Sequence, residues 1–353
     1  MSMSTAFTDL VGVRAPIVCT GMGFVSDPVL AAAASNAGGL GIVAAAMMNL
    51  AELESAVVKM NEITNRPYGV NLRSDAPDLH DRARVMIDGG VRVASFALAP
   101  SPEIMAVLKE AGLICIPSVG ARRHAEKVAS WGADAVIVQG GEGGGHTGAV
   151  PTSLLLPQIV DSVDIPVVAA GGYFDGRGLV SALSYGAAGI AMGTRFLLTE
   201  ESPVPEAMKR RYLEFGVTDT VVTSEVDGHP HRVIRNTMVA ELERQGLVSG
   251  LRGAATNAAA FKKLSGDTWT KMIRQGLALR REHSYTPRQV VMAANAPMLC
   301  RAAMVEGRED IGVMSSGQVV GLIDDLPTCQ KLIDRVLHEA NEVLVRLEKV
   351  SDR

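Results

Sequence analysis

The 353-residue chain is poor in cysteine, in net charge and in uninterrupted apolar runs, and each shortage removes a class of protein. Its four cysteines, Cys19, Cys115, Cys300 and Cys329, stand far apart with no C-x-x-C pair. Neither a disulfide framework nor a zinc ribbon is indicated, and a reducing cytoplasm fits best. The 34 Lys and Arg against 38 Asp and Glu leave a net charge of −4, which argues against a nucleic-acid binder. The most apolar stretch, 29–48, is interrupted by Ser35, Asn36, Gly38, Gly39 and Gly41. It reads as a buried helix, a turn and a buried strand, with no membrane span. No basic segment followed by an apolar one opens the chain, so no signal peptide is expected and nothing points to export. With 47% hydrophobic and 20% charged residues, what remains is a globular protein with ample core.

What the chain does have is a repeated phrase in which an Ala-rich helical stretch stops at Gly and a short apolar strand begins at once. It occurs five times: AGGLGIVAA (37–45), DGGVRVASF (88–96), EAGLICIPS (110–118), WGADAVIVQ (131–139) and YGAAGIAMG (185–193). Gly just past a helix end takes the left-handed conformation, and the apolar run after it suits a strand buried on both faces. Three further strands follow Pro-containing turns: APIVC (15–19), RPYGVNL (66–72) and IPVVAA (165–170). Eight strands alternating with helices predict an α/β fold, a (β/α)8 TIM barrel, with a doubly wound open sheet as the runner-up.

The pattern changes after Leu198. The reading assigns 1–200 and 304–353 to the barrel and 201–303 to a helical cap or substrate region without clear strands. Residues 205–305 carry 15 Lys and Arg against 9 Asp and Glu, whereas the remainder carries 19 against 29. A basic cap on an acidic barrel is either a set of solvated helix faces or a surface that receives phosphates. The tail holds an amphipathic helix with Leu332, Ile333, Val336 and Leu337, expected to close the barrel's outer ring.

In such a barrel the site lies at the C-terminal strand ends, and phosphates favour the loops after strands seven and eight. After the seventh comes AAGGYFDGRG (169–178), where Gly171 and Gly172 let backbone N–H groups approach an anion and Asp175 is placed to cap the next helix. After the eighth comes MGTRF (192–196), supplying Gly193 and Thr194. Together they make a phosphate cup, although tight turns also use Gly for steric reasons alone. The loop after strand six, QGGEGGGHTGAVPT (139–152), has six Gly in fourteen residues around one histidine. Backbone of this kind suits contact with a flat ligand, and imidazole exchanges protons near neutral pH, so His146 is the candidate general base. The alternative is a loop histidine with no role.

Other polar groups have weaker claims. Asn71 and Gln139 end strands with amides suited to the pyrimidine edge of a flavin, although Asn71 would equally cap a turn. Gly21 and Gly23 flank Met22 at the end of strand one, where the Met is either a ring contact or core. His80, His124 and His338 fall on helices and His283 on a polar stretch. His229 and His231, in DGHPH, read as a turn in preference to a metal site, and no metal is expected. Cys19 and Cys115 read as small hydrophobes.

These segments resemble the nitronate monooxygenase (2-nitropropane-dioxygenase-like) family of FMN-dependent barrel enzymes, which includes FMN-dependent enoyl reductases. The likeness spans nearly the whole chain: P-I-V-x-x-G-M-G (16–23), P-Y-G-V-N (67–71), G-x-E-x-G-G-H-x-G (140–148), A-A-G-G-x-x-D-G-R-G (169–178), M-G-T-R-F (192–196) and S-G-Q-V-x-G (316–321). The resemblance implies FMN held by Met22, Gly23, Asn71, Gln139, Gly144, Gly171, Gly172, Gly193 and Thr194, with Ser118 and Gly145 beside them and His146 as the catalytic histidine. Many nitronate-oxidising members carry Lys and Asp at the ends of strands five and six. Here Ser118 and Gln139 stand there, which points away from nitronate oxidation.

The wording is closer to a bacterial subgroup acting on a steroid-derived hydrindane-carboxyl-CoA thioester from cholesterol-ring degradation, with NAD(H) as redox co-substrate. The implied reaction is α,β-dehydrogenation, or the reverse enoyl reduction, with His146 removing the α-proton and the hydride passing to FMN N5. Lys209, Arg210, Arg211, Lys262 and Lys263 are candidates for the CoA phosphates. The rival readings are a nitronate monooxygenase and a non-catalytic flavin- or polyanion-binding protein. Homo-oligomerisation is left open, and neither nucleic acid nor membrane is expected as a partner.

Overall fold

A computed structural model describes residues 2–245 and 287–351. These form two units: Met1–Gly143 with Gly148–Pro203 and Leu322–Arg353, and Gly144–Thr147 with Val204–Gly321.

The first unit is a closed barrel of eight parallel strands: β1 (Ile17–Cys19), β2 (Leu40–Ala44), β3 (Tyr68–Leu72), β4 (Val93–Phe96), β5 (Ile114–Val119), β6 (Val136–Gln139), β8 (Val167–Ala170) and β9 (Gly189–Met192). Closure comes from β1, which pairs with β2 on one side and β9 on the other, Val18 lying opposite both Leu40 and Ala191. All eight expected strands are present. At all five glycine joints the backbone is left-handed, from φ +68° at Gly90 to +94° at Gly38. The apolar stretch 29–48 forms the helix Pro28–Asn36, a turn and β2, and no helix among the described residues is long and apolar enough to cross a membrane.

Inside the barrel, Val18, Ile42, Val93, Ile116, Ile137 and Val168 form one buried cluster with Phe7 and Val11. Those two belong to a short helix, Ala6–Val11, that the strand pattern does not announce. Thr5 caps it and donates its hydroxyl to the Ala188 carbonyl at 2.6 Å. The tail helix Cys329–Ser351 packs against helices Pro28–Asn36 and Gly176–Ser184, burying Leu332, Ile333, Val336 and Leu337, and so completes the outer ring as expected. All four cysteines are unpaired, and burial pushes the Cys115 thiol up to about 12 and Cys300 up to about 11.

The second unit differs from the strandless helical cap expected over 201–303. It runs from Val204 to Gly321, takes in Gly144–Thr147, and carries an antiparallel sheet ordered β10 (Thr220–Thr223), β11 (His231–Ile234), β7 (Gly145–His146). TVVT and HRVI are β-prone but only four residues long, too short to show alternation. The later boundary has a long-range cause. Ile234 N–H donates to the Met314 carbonyl at 2.9 Å, and Val233 bridges to Ser315, drawing 313–316 into this unit. Its small core is Val226, Val233, Val239, Ala296 and Val313.

Helix-to-sheet approach is tightest at Gly41, where a Cβ would stand 1.8 Å from the Ala31 carbonyl oxygen. At Gly112 a Cβ would meet nothing within 4 Å, although φ is +84°. Gly41→Ala is therefore expected to destabilise by overpacking, at the upper end of about 1–3 kcal/mol or beyond. Gly112→Ala should cost only the about 1–2 kcal/mol of left-handed backbone. Urea midpoints of the two variants check this ordering.

Candidate active site

The barrel places the expected cofactor residues at its C-terminal strand ends. Strand β1 runs into a turn in which Ser26 Oγ accepts from Met22 N–H at 3.0 Å and donates to the Thr20 carbonyl at 2.6 Å. This turn contains Phe24, the one non-glycine residue with positive φ (62°) among the described residues. A bulky residue held left-handed is backbone strain of the sort found at ligand clamps, and sequence pattern carried no signal for it. The turn touches two neighbours. A Cβ on Gly193 would lie 3.4 Å from Thr20 Oγ1 and 3.5 Å from Met22 Sδ, and one on Gly21 would lie 2.6 Å from Asn71 Cβ. Asn71, 8% exposed, is the penultimate residue of β3 and donates from Nδ2 to Ser95 Oγ at 3.2 Å. Gly23 is exposed at the same turn, and Ser118, half-buried, lies on β5 opposite Ile137.

Strands β8 and β9 are paired, so the loops holding Gly171–Gly172 and Gly193–Thr194 leave the barrel side by side. Gly171 and Gly172 are both left-handed, at φ +98° and +85°. Asp175 caps the next helix, accepting from Gly178 N–H at 2.9 Å, as expected. Several glycines of the loop after β6 have packing reasons of their own. A Cβ on Gly140 would strike Thr152, and one on Gly143 would lie 2.6 Å from Gln139 Nε2. Glu142 anchors this half of the loop by accepting from Thr152 N–H at 2.9 Å and its hydroxyl at 2.6 Å.

The middle of that loop, β7, belongs to the second unit. His146 lies opposite His231 and Gly145 opposite Arg232 in an antiparallel ladder, and Thr147 N–H donates to the Pro230 carbonyl at 3.1 Å. Gly144 is flush against other backbone, its would-be Cβ 2.5 Å from Gly317 N, which accounts for a glycine at 144. Gly145 is left-handed with open space around it.

The His146 side chain is 64% exposed, and its Nε2 lies 2.5 Å from Oδ2 of Asp227, a carboxylate only 10% exposed. Asp227 Oδ1 accepts from His229 N–H at 3.0 Å. Burial alone would push the Asp227 carboxyl up. Hydrogen bonds from His146 and the His229 amide, with His231 facing the same oxygen, outweigh it and hold the carboxyl well below the usual range. An ionised carboxylate only accepts, so His146 Nε2 carries the proton and Nδ1 is the basic nitrogen of the neutral ring. His231, 5% exposed, contacts Ser315 Oγ through Nε2 at 2.9 Å.

The reading of DGHPH as a turn holds for Asp227–His229, which lie in turn and bend, and fails for its last residue. His231 sits on β11, and Asp227 supplies the carboxylate that the reading did not count, although its place four residues before His231 is visible in the sequence. The arrangement can accept a proton at His146 and stabilise the resulting imidazolium.

The basic candidates for a polyanion are placed unevenly. Lys209 is 5% exposed, 3.4 Å from Glu206, and Arg211 is engaged by Glu309 and Glu214. Arg210 is 70% exposed and pairs with Glu206 at 2.9 Å. Lys262 and Lys263 lie outside the described residues, as does His283.

Because Asp227 is held below its unfolded pKa of about 3.9, the stability it contributes is present above that pH and is lost as pH falls towards the folded value. Asp227→Asn should destabilise by about 1–3 kcal/mol at pH 5. The deficit should shrink below about pH 4. Urea unfolding of both proteins from pH 5 down to 2 would show this convergence; a deficit that stays constant or widens contradicts it.

Comparison with known proteins agrees with this architecture. A (3aS,4S,5R,7aS)-5-hydroxy-7a-methyl-1-oxo-octahydro-1H-indene-4-carboxyl-CoA dehydrogenase of Rhodococcus jostii is 57% identical over 339 residues, 96% of each chain. The Mycobacterium tuberculosis protein of the same name is 55% identical over 343 residues, 96% of this chain and 97% of its own. Among solved structures, FabK from Thermotoga maritima superposes with a TM-score of 0.83 at 32% identity, covering 99% of this chain and 100% of that one. The nitronate monooxygenase family profile matches residues 4–339. The chain is an oxidoreductase and belongs to the nitronate monooxygenase family.

Proposed function

We propose that this protein is an FMN-dependent oxidoreductase acting on a steroid-derived hydrindane-carboxyl-CoA thioester, by α,β-dehydrogenation or the reverse enoyl reduction, with NAD(H) as redox co-substrate. The observation that carries the proposal is identity of 55–57%, over 96% of the chain, to two proteins named as dehydrogenases of such a thioester. Four unpaired cysteines support a reducing cytoplasm as its location.

The barrel rim fits FMN. A side chain at 193 would fill the space beside Thr20 Oγ1 and Met22 Sδ, and the left-handed pair Gly171–Gly172 lies on the adjacent loop. Gly171, Gly172, Gly193 and Thr194 would hold the phosphate, with Asn71, Gln139, Ser118, Met22 and Gly23 along the ring. Bound FMN supplies the acceptor for the substrate's β-hydride. Gly144 and Gly145 would serve chiefly by framing His146.

A thioester carbonyl acidifies the hydrogen on its α-carbon, so a base is needed there and its charge must be tolerated. His146 Nδ1 takes the α-proton while Nε2–H stays donated to Asp227, whose carboxylate stabilises the imidazolium. Asp227 is thus a positioning residue acting through His146. Arg210, exposed and paired with Glu206, would meet the CoA phosphates, and Lys262 and Lys263 are proposed for the same role from the sequence. Nitronate oxidation is the second reading, favoured by the family profile and opposed by neutral Ser118 and Gln139.

His146→Ala should lower turnover of the acyl-CoA by about 10²–10⁴-fold. Addition of 3′-phospho-ADP should inhibit competitively. Indifference to both perturbations removes the CoA reading, and oxygen uptake on an alkyl nitronate in place of acyl-CoA turnover installs the second.

A further inference from the structure

His231 presents a feature that the proton chemistry of His146 does not use. Its Nδ1 is buried without a hydrogen-bond partner and faces Asp227 Oδ2 at 3.6 Å. Nε2 meets Ser315 Oγ at 2.9 Å, so Nδ1 and the carboxylate oxygen face each other across a gap that a proton on Nδ1 spans and that a cation can take over. A ring nitrogen fixed by its other N–H is how proteins prepare histidine for a metal. The third donor is already present. The β7–β11 register sets His146 opposite His231, the two rings are 4.8 Å apart, and the three donor atoms lie within 4.8 Å of one another.

We infer that His146 Nε2, Asp227 Oδ2 and His231 Nδ1 form a site for a divalent transition ion of the zinc class. Two imidazoles and a carboxylate suit Zn²⁺ and not Mg²⁺, which prefers an all-oxygen shell. Tetrahedral bonds of about 2.0–2.1 Å need donors roughly 3.3 Å apart. The Asp227–His231 pair at 3.6 Å is near that value, and the Asp227–His146 pair at 2.5 Å must open, a movement of the exposed ring alone. The fourth position is left to water.

Metal at Nε2 takes the place of the proton now shared with Asp227, and the neutral imidazole then carries its proton on Nδ1. The nitrogen assigned above as the base can no longer accept, so the ion is an inhibitor of turnover. That consequence rests on the proposed function; the binding itself does not.

The test is calorimetric titration of the EDTA-treated full-length protein with ZnCl2 and, separately, MgCl2. One Zn²⁺ per chain is expected, with no Mg²⁺ binding, and affinity should fall at least about tenfold in both His146→Gln and His231→Gln. His146→Gln keeps the test valid should the buried His231 variant fold poorly, because the His146 side chain is exposed. Zinc binding of undiminished affinity in His146→Gln, or no binding to the wild type, overturns the proposal. Zinc binding by a protein inert towards acyl-CoA supports the metal site while removing the proposed function.

Discussion

The proposed proton chemistry depends on a ladder two residues long. Strand β7 is only Gly145–His146, yet its pairing to β11 sets His146 opposite His231 and within reach of the carboxylate four residues before it. Glycines permit this. Gly145 turns left-handed and Gly144 lies flush on the Ser316–Gly317 backbone, where any side chain would force the two backbones apart. What the loop after β6 gives up in conformational entropy returns as an imidazole whose Nε2 is held against Asp227.

The candidate residues fall in two units. The barrel supplies strand ends that stop in glycine, amide and hydroxyl groups, and its closure through β1 keeps those ends in register. The second unit supplies His146, Asp227 and His231 from three sequence-distant or turn-separated positions joined by main-chain hydrogen bonds. Asp227 bears the thermodynamic load of that arrangement. It is a buried carboxylate whose ionised form persists because two histidines and an amide face it.

Much of this was legible in the sequence. A left-handed Gly followed by an apolar run is a local signal, and Gly38, Gly90, Gly112, Gly132 and Gly186 marked their strands because no other residue adopts that backbone cheaply. The histidine in the glycine-rich loop, the amides near the ends of β3 and β6, and the cap at Asp175 were local too. The sheet β10–β11–β7 was not, because its strands are two to four residues long and the β11–β7 pairing joins residues more than eighty positions apart. For the same reason DGHPH read as a turn. Its carboxylate acquires meaning only when β7 arrives beside it. Lys209 looked like a free cation by composition, whereas its burial against Glu206 is a tertiary fact.

The central claim is that an acyl-CoA thioester reduces a flavin held by this barrel through proton removal at His146. Anaerobic mixing of the purified protein with the hydrindane-carboxyl-CoA, followed in the visible spectrum, tests it most directly. The account predicts a yellow protein whose flavin band bleaches on mixing and returns on addition of NAD⁺, with bleaching slowed severely in His146→Ala. A colourless protein that takes up no FMN, or a flavin band untouched by the thioester in either direction, would contradict it.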